Sequence, residues 1–383
     1  MKCEKLFEII KSRAEEYVDV WEKFALIESP TEYKDGVDAA GEYIASLARE
    51  LRFEVKKIPE EAVGDVVVIT MNGESGEAPI VFSGHIDTVH PIGSFGNPAV
   101  KRKNGNIYGP GVMDCKGGVV AAFAAMHALR DAGFKDRPIK LILQTDEEKN
   151  SRPSMKDTIR IMLEESGNAV AFLNCESIIK NTAVLMRKGI IQFEFEVTGK
   201  AMHSSKCPSG ISAVTEAAHK IIELEKMKDI DGLTCNCGLI SGGTAENTVA
   251  EKCVFTADIR FSNDNELETA RNTVYEVAKK SYVGGTCTVT ERPYRPAMVK
   301  TDKNLALLDK LNKIYSANCL PNLSARLSLG GSDAAYTTEA GIPTVDSIGV
   351  AGDYIHTVNE YAVISSLEEA TQRLASAVYC FDD

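Results

Sequence analysis

Hydrophobic and polar positions follow two different periods along this chain, and the period changes near residue 187. Before that point, short apolar runs, such as residues 80–82 and 139–144, are separated by segments with apolar residues every three or four positions. The runs predict buried strands, and the segments between them predict amphipathic helices. This alternation predicts a largely parallel sheet that is covered by helices on both faces.

After Pro293 the same pattern returns and completes the first domain. Each predicted helix has one apolar face. The predicted helices span residues 6–24, 37–51, 119–132, 155–165, 305–317, 332–339 and 365–379. The predicted strands are short, mostly apolar runs and span residues 53–58, 65–71, 80–82, 139–144, 170–174 and 344–347.

Residues 187–290 have a different pattern. Residues 190–197 alternate strongly between apolar and polar side chains, as in a sheet with one solvated face. The later elements of this segment are predicted as a helix at 213–227, strands at 233–240 and 254–261, a helix at 267–280 and a strand at 286–290. The order β-α-β-β-α-β is that of the ferredoxin-like split unit. We therefore predict an α/β domain in two segments, 1–186 and 291–383, with an inserted α+β domain at 187–290.

Composition narrows the class of protein and its partners. The chain has 383 residues, of which 44% are hydrophobic and 26% charged, as in an ordinary globular protein. Its 43 basic and 55 acidic side chains give a net charge of −12, which argues against nucleic acid or an anionic membrane as partner. No apolar run approaches a membrane span, the N-terminus lacks the apolar region of a signal peptide, and the ten cysteines are scattered. We expect a cytoplasmic protein with reduced thiols.

Side chains that can bind metal follow several of the predicted strands. They are His85 and Asp87 after the run at 80–82, Glu147 and Glu148 after 139–144, Glu176 after 170–174, and His356 after the last strand. Asp114 lies in a glycine-rich loop at 109–118. Sites in open α/β sheets form at the carboxyl ends of the strands, so we expect these side chains to converge. Converging carboxylates repel one another and need a cation among them.

The ligand types favour zinc or a similar borderline ion. Two histidines with three carboxylates do not suit calcium, which prefers oxygen ligands. Two ions about 3.5–4 Å apart could share one carboxylate as a bridge. Asp87, two residues after His85, suits a group that orients a metal-binding imidazole. Of the adjacent Glu147 and Glu148, one can bind metal while its neighbour acts as general base towards water.

Four motifs in this order resemble those of a known family. They are His85-Ile86-Asp87-Thr88-Val89, the loop at 109–118, Asp146-Glu147-Glu148-Lys149, and Gly352-Asp353-Tyr354-Ile355-His356. Together they resemble the di-zinc aminoacylase, carboxypeptidase and desuccinylase metallopeptidases, most closely the glutamate carboxypeptidase branch, which hydrolyses folates and related N-acyl glutamates. The likeness covers nearly the whole chain. It implies a zinc-exopeptidase-like sheet with an inserted lid and dimerisation domain.

The resemblance also implies roles for the matching residues. One zinc would be bound by His85, Asp114 and Glu176, and the other by His356, Asp114 and Glu148, so that Asp114 bridges two Zn²⁺ ions per chain. Co²⁺ or Mn²⁺ are possible substitutes. Glu147 would be the general base, Asp87 would orient His85, and the peptide bond between Asp114 and Cys115 would be cis.

Three residues in or near the inserted domain resemble lid and substrate residues of the family. His203, in a lid motif at 199–205, would stabilise the oxyanion, often from the partner subunit of a homodimer that forms through this domain. Asn247 would contact substrate or oxyanion, although Ala250 replaces a family proline. Arg292 would clamp a substrate carboxylate. Each of the three also has a purely structural interpretation, as an ordinary surface or packing residue.

The predicted activity is hydrolysis of the amide bond to a C-terminal, glutamate-like amino acid of a small peptide or N-acyl amino acid. The same chemistry on another substrate would make the protein a deacylase or desuccinylase of amino-acid biosynthesis. A non-catalytic metal-binding homologue is a third hypothesis. It predicts the loss of a ligand or of the base, and this chain has both Glu147 and the full ligand set.

Overall fold

The computed structural model describes residues 2–230 and 232–382, which form two compact units. The second unit consists of Arg187–Val299 and Ser328–Gly331. The first consists of Lys300–Leu327 together with the described residues before Arg187 and after Gly331.

The helices and strands are numbered in chain order. The helices are α1 (Glu4–Ser12), α2 (Ala14–Leu26), α3 (Lys34–Glu50), α4 (Gly117–Asp131), α5 (Asp157–Ser166), α6 (Ala213–Glu225), α7 (Asp264–Lys279), α8 (Asp302–Ala317), α9 (Ala334–Glu339) and α10 (Ser365–Tyr379). The strands are β1 (Glu54–Ile58), β2 (Val66–Met71), β3 (Ile80–His85), β4 (Lys101–Lys103), β5 (Asn106–Tyr108), β6 (Ile139–Gln144), β7 (Ala171–Asn174), β8 (Thr182–Arg187), β9 (Gly189–Thr198), β10 (Thr234–Gly242), β11 (Lys252–Phe261), β12 (Thr286–Glu291), β13 (Ser324–Ser328), β14 (Thr344–Val345), β15 (Gly352–Asp353) and β16 (Tyr361–Val363).

The first unit is built on a six-stranded mixed sheet in the order β1-β2-β6-β3-β7-β14. β3 is parallel to both β6 and β7, and β14 is parallel to β7, whereas β1 and β2 join by antiparallel pairing. Every residue of β3 is buried, which is why its sequence is a continuous run and does not alternate. The predicted fold class, a mostly parallel sheet with helices, is confirmed.

Helix α4 lies in the core of this unit. The helical stretch Val112–Asp131 is long and apolar enough to cross a membrane by length and composition, but all of its most apolar window is buried in the protein. It is therefore a core helix. The prediction of a single helix at 6–24 was wrong, because the helix is interrupted at Arg13, between α1 and α2.

The second unit contains a four-stranded antiparallel sheet in the order β10-β11-β9-β12. The chain order β9-α6-β10-β11-α7-β12 matches the predicted ferredoxin-like arrangement. The predicted end at residue 290 falls short of the compact unit. Residues after β12 stay paired inside it, through the bridges Ile190↔Arg295 and Arg187↔Met298.

A buried ion pair between Glu216 and Lys220 links helices α6 and α7 of the second unit. The Glu216 carboxylate accepts hydrogen bonds from the backbone N–H groups of Tyr282 and Val283, at 3.0 and 2.7 Å. Lys220, 3.2 Å from Glu216, donates to the backbone carbonyls of Val277 and Ala278 in α7. Both charges are therefore matched by main-chain groups as well as by each other.

Candidate metal centre

Three neighbouring parallel strands deliver ligand side chains to one edge of the sheet. His85 ends β3 and pairs in register with Gln144, the last residue of β6. Ser83 pairs with Asn174, the last residue of β7. Glu148 and Glu176, which follow β6 and β7, therefore emerge at the same edge as His85.

Asp114 reaches this edge from the glycine-rich loop between β5 and α4. A Cβ atom on Gly118 would collide with the carbonyl oxygen of Cys175, so this loop packs directly on the segment that carries Glu176. The peptide bond between Asp114 and Cys115 is cis, as the resemblance implied.

The Asp114 carboxylate lies between two histidines. Its Oδ1 is 3.1 Å from Nε2 of His85, and its Oδ2 is 3.2 Å from Nε2 of His356. Glu176 Oε1 is 3.6 Å from the His85 nitrogen, and Glu148 Oε2 is 3.2 Å from the His356 nitrogen. The structure therefore brings the five predicted metal ligands together, in two groups that share Asp114.

These separations fit two tetrahedral metal shells. Zinc–nitrogen and zinc–oxygen bonds of about 2.0–2.2 Å place neighbouring ligand atoms about 3.3–3.6 Å apart. The four donor separations, 3.1, 3.6, 3.2 and 3.2 Å, lie at or near this range. The nitrogen and carboxylate donors also suit zinc, so the residues present fit two such ions.

The electrostatics of the cluster favour cations. Burial would lower the pKa of His85, but hydrogen bonds to Asp114 and Asp87 hold it well above its usual range. Hydrogen bonds to Asp114 and Glu148 raise the pKa of His356 to about 10. Burial and the nearby Asp114 charge raise the pKa of Glu148 to about 8. Because its carboxylates lie close together and repel one another, the cluster favours bound protons. Divalent cations would relieve the same repulsion.

Asp87 supports ligands of both groups. The ring Nδ1 of His85 is 3.0 Å from the Asp87 carbonyl and 3.4 Å from its Oδ1, an arrangement that directs Nε2 towards Asp114 and Glu176. Asp87 Oδ2 accepts hydrogen bonds from the Thr31 hydroxyl at 2.7 Å and the Glu148 N–H at 3.2 Å. Of these contacts, only that between Asp87 and His85 was predicted from the sequence, and no sequence motif marked Thr31.

Glu147 and Cys115 lie beside the ligands. Glu147 is half-buried and begins a short 3₁₀ turn, one residue before Glu148. Cys115 Sγ is within 4.8 Å of donor atoms of His85 and Glu176, so it could also reach a metal. Its thiol donates to the Cys175 carbonyl at 3.1 Å, and burial raises its pKa well above the usual value, which favours the carboxylates as ligands.

The remaining predicted residues belong to the second unit. The exposed His203 accepts a hydrogen bond from the Ser205 N–H at its Nδ1, so the neutral ring carries its proton on Nε2. Asn247 lies next to the segment that carries His203. Its backbone carbonyl accepts a hydrogen bond at 2.8 Å from the N–H of Ser204, the residue after His203.

Arg292 follows β12, and its Nη2 lies 2.6 Å from Glu194 Oε2. The guanidinium that was predicted to clamp a substrate carboxylate thus already pairs with a carboxylate of the protein.

Comparisons with known proteins identify a family. The model of Peptidase family M20/M25/M40 matches residues 81–379. Carboxypeptidase G2 of Pseudomonas sp. (strain RS-16) is 28% identical over 372 residues, which cover 94% of this chain and 88% of the relative. A succinyl-diaminopimelate desuccinylase of Rickettsia akari (strain Hartford) is 24% identical over 355 residues, 87% of this chain and 92% of the relative.

Solved structures share the fold. Aminopeptidase PepT from Bacillus cereus ATCC 10987 superposes with a TM-score of 0.79 at 23% identity, over 95% of this chain and 97% of the other. The M20 family metallo-carboxypeptidase Sso-CP2 from Sulfolobus solfataricus gives a TM-score of 0.72 at 17% identity, over 94% and 98%.

Proposed function

This chain belongs to Peptidase family M20/M25/M40 and is a metal-dependent peptidase or amidohydrolase, and from that premise we propose that it uses two zinc ions to remove a C-terminal, glutamate-like amino acid from a small peptide or N-acyl amino acid. The observation that carries the proposal is the Asp114 carboxylate, whose two oxygens face His85 and His356 at 3.1 and 3.2 Å. A carboxylate in that position suits a bridge between two ions.

Each ion would have three protein ligands. His85, Asp114 and Glu176 would hold one, and His356, Asp114 and Glu148 the other. When bound, such ions polarise the scissile carbonyl and lower the pKa of the attacking water. Co²⁺ or Mn²⁺ would serve as substitutes, because their ligand preferences overlap with those of zinc.

Glu147 would perform the proton transfers. Its carboxylate would take a proton from the attacking water and pass it to the departing amine nitrogen. Asp87 would hold Nδ1 of His85 so that Nε2 stays unprotonated towards its ion.

The second unit would supply the substrate contacts. The Nε2–H of His203 would donate to the developing oxyanion, and Asn247, its neighbour, would contact the same group or the substrate. Arg292 would bind the carboxylate of the released amino acid in place of Glu194.

The desuccinylase relative supports a second candidate with the same chemistry: removal of an acyl group from an amino acid in biosynthesis. A panel of N-acyl glutamates, N-acetylated and N-succinylated amino acids and dipeptides separates the two candidates. Preference for the N-acyl glutamates supports the first, and preference for succinylated amino acids the second.

The central experiment is Glu147→Gln, with Glu61→Gln, an exposed glutamate, as matched control. We expect Glu147→Gln to keep the metal content of the wild type while turnover falls by about 10²–10⁴-fold. The control should keep both. Wild-type turnover in Glu147→Gln would show that the base is wrongly assigned, and a wild type inactive on the whole panel would contradict the function.

The proposed partners are the small substrate and a second copy of the chain. β10 is an edge strand of the second unit, and its Leu239 and Ile240 are 70% and 53% exposed, which supports a homodimer through this domain. The ten cysteines are scattered along the sequence, as in a chain with reduced thiols, and on that pattern we place the enzyme in the cytoplasm.

A further inference from the structure

Glu360 is a buried carboxylate that no sequence motif marked. Its side chain is 1% exposed, and its Oε1 accepts hydrogen bonds from the backbone N–H groups of Met113 and Asp114 at 2.9 and 3.1 Å. Its Oε2 lies 3.3 Å from the Gly111 N–H and 2.9 Å from Nε2 of His90. Both oxygens are therefore held by donors, and most of these belong to the loop that carries Asp114.

The backbone of the same residue closes the turn that directly follows the one carrying His356. The Glu360 N–H donates to the Thr357 carbonyl, and the Thr357 N–H donates to the Tyr354 carbonyl, both at 3.1 Å. His356 lies inside the first of these turns, 354–357, with a left-handed φ of 62°. The Glu360 carbonyl also accepts the Gly109 N–H at 3.4 Å. Glu360 thus binds the Asp114 loop through its side chain and its carbonyl. Through its N–H it binds the turn that directly follows the one carrying His356.

The two halves of the metal centre differ in what holds them. His85 ends β3 and Glu176 follows β7, and these strands are neighbours in the sheet. The sheet therefore fixes that half. The His356 side chain is 52% exposed and sits on a turn outside the main sheet, whereas that of His85 is 2% exposed.

We propose that Glu360 is the positioning residue of the His356 half of the metal pair: it sets the distance between the Asp114 carboxylate and the His356 ring. This inference rests on the proposed two-metal function. It predicts that loss of Glu360 weakens binding of the ion on the His356 side far more than binding of the other. His356 sits on a turn and loses its register with Asp114, whereas the sheet still fixes His85 and Glu176.

The test is calorimetric titration of the metal-free protein with Zn²⁺, together with metal analysis after gel filtration. We expect two ions per wild-type chain. Glu360→Gln presents an amide donor where carboxylate oxygens accepted hydrogen bonds. It should retain one ion with affinity within about 3-fold of wild type and bind the other about 10–100-fold more weakly. Two ions bound with wild-type affinities would overturn the proposal, and so would equal weakening of both.

Glu216→Gln is the matched control, because Glu216 is also a buried glutamate that accepts backbone N–H groups, but in the second unit. It should leave zinc binding unchanged. Should Glu360→Gln fail to fold, His90→Ala removes only the imidazole donor. We expect it to weaken the same ion by a smaller factor, about 3–10-fold, and unchanged binding there would overturn the proposal as well.

The two failures can be told apart. A wild-type chain that binds no zinc would contradict the proposed function. A wild-type chain that binds two ions and is unaffected by Glu360→Gln would leave that function standing and remove only the role of Glu360.

Discussion

The carboxylate of Asp87 accepts a hydrogen bond from the backbone N–H of Glu148 at 3.2 Å. Asp87 lies just beyond the end of β3, and Glu148 lies just beyond the end of β6. The same side chain faces Nδ1 of His85 at 3.4 Å. One buried carboxylate therefore holds a candidate ligand of each metal, so its loss should affect both.

Asp87→Asn should weaken zinc binding at both positions and lower turnover, each by about 10–100-fold. An amide offers only one acceptor oxygen, so its NH₂ group must face either the Glu148 N–H or the His85 ring. Zinc titration measures the affinities, and Asp309→Asn, an exposed aspartate, is the control. Wild-type affinities in Asp87→Asn would mean that the Asp87 carbonyl, 3.0 Å from Nδ1, orients His85 by itself.

The positions of three ligands could be predicted because each lies at or after the end of a buried strand. An apolar run such as β3 or β6 ends where polar side chains begin, and parallel neighbours end at one edge of a sheet. For a residue at the end of such a strand, the position in the sequence therefore predicts the position in the fold. This holds for His85, Glu148 and Glu176, the three that leave adjacent strands.

The supporting residues could not be predicted in this way. Thr31 contacts Asp87 across 56 positions of sequence, and Glu360 contacts Asp114 across 246. Neither residue belongs to a recognisable sequence pattern, because its structural role depends on which distant segments the fold brings together. The sheet β15-β16-β5-β4 was missed for a related reason, since strands of two or three residues are too short to show a period.

Stability of the second unit should depend on pH through Glu216. Its carboxylate is buried, yet the N–H groups of Val283 and Tyr282 and the Lys220 charge hold its pKa below the usual value. A lowered folded-state pKa stabilises the protein above the unfolded-state pKa of about 4.3, and this stability is lost as pH falls through the folded-state value. Glu216→Gln should therefore cost about 1–3 kcal/mol at pH 7, and the difference should shrink below about pH 4.

Urea unfolding of wild type and Glu216→Gln at pH 7 and at pH 3.5 measures that difference. The control is Glu223→Gln on the same helix, where the glutamate pairs with Lys226 at the surface and should contribute little at either pH. A difference between wild type and Glu216→Gln that stays constant with pH would contradict the role given to the carboxylate charge.

The proposed dimer should dissociate when a charge is placed on the exposed edge strand. Leu239→Glu puts a carboxylate on β10 where the side chain is 70% exposed, so the folded monomer should tolerate it while an apolar interface should not. Sedimentation velocity should show a dimer for wild type and a monomer for the variant. Ile179→Glu, 57% exposed in the first unit, should remain dimeric. A monomeric wild type would contradict the dimer.

Substrate preference should depend on the pair formed by Arg292 and Glu194. If Arg292 binds the substrate carboxylate, it must exchange the Glu194 carboxylate, 2.6 Å away, for that of the substrate. Arg292→Ala should then raise KM for N-acyl glutamates by about 10–100-fold, because a charge-assisted hydrogen bond contributes about 1.5–3 kcal/mol. Glu194→Gln should lower KM or leave it unchanged, since it frees the guanidinium.

The different effects of these two substitutions on KM make the test decisive. An ion pair that only stabilises the second unit would be broken equally by either substitution, so both variants would lose thermal stability by a similar amount and neither would change KM. Arg260→Ala is the matched control, because that arginine pairs with Asp258 at 2.7 Å within the same unit and should leave KM unchanged. A KM for N-acyl glutamates that stays at the wild-type value in Arg292→Ala would assign Arg292 to structure and move the carboxylate clamp to another residue.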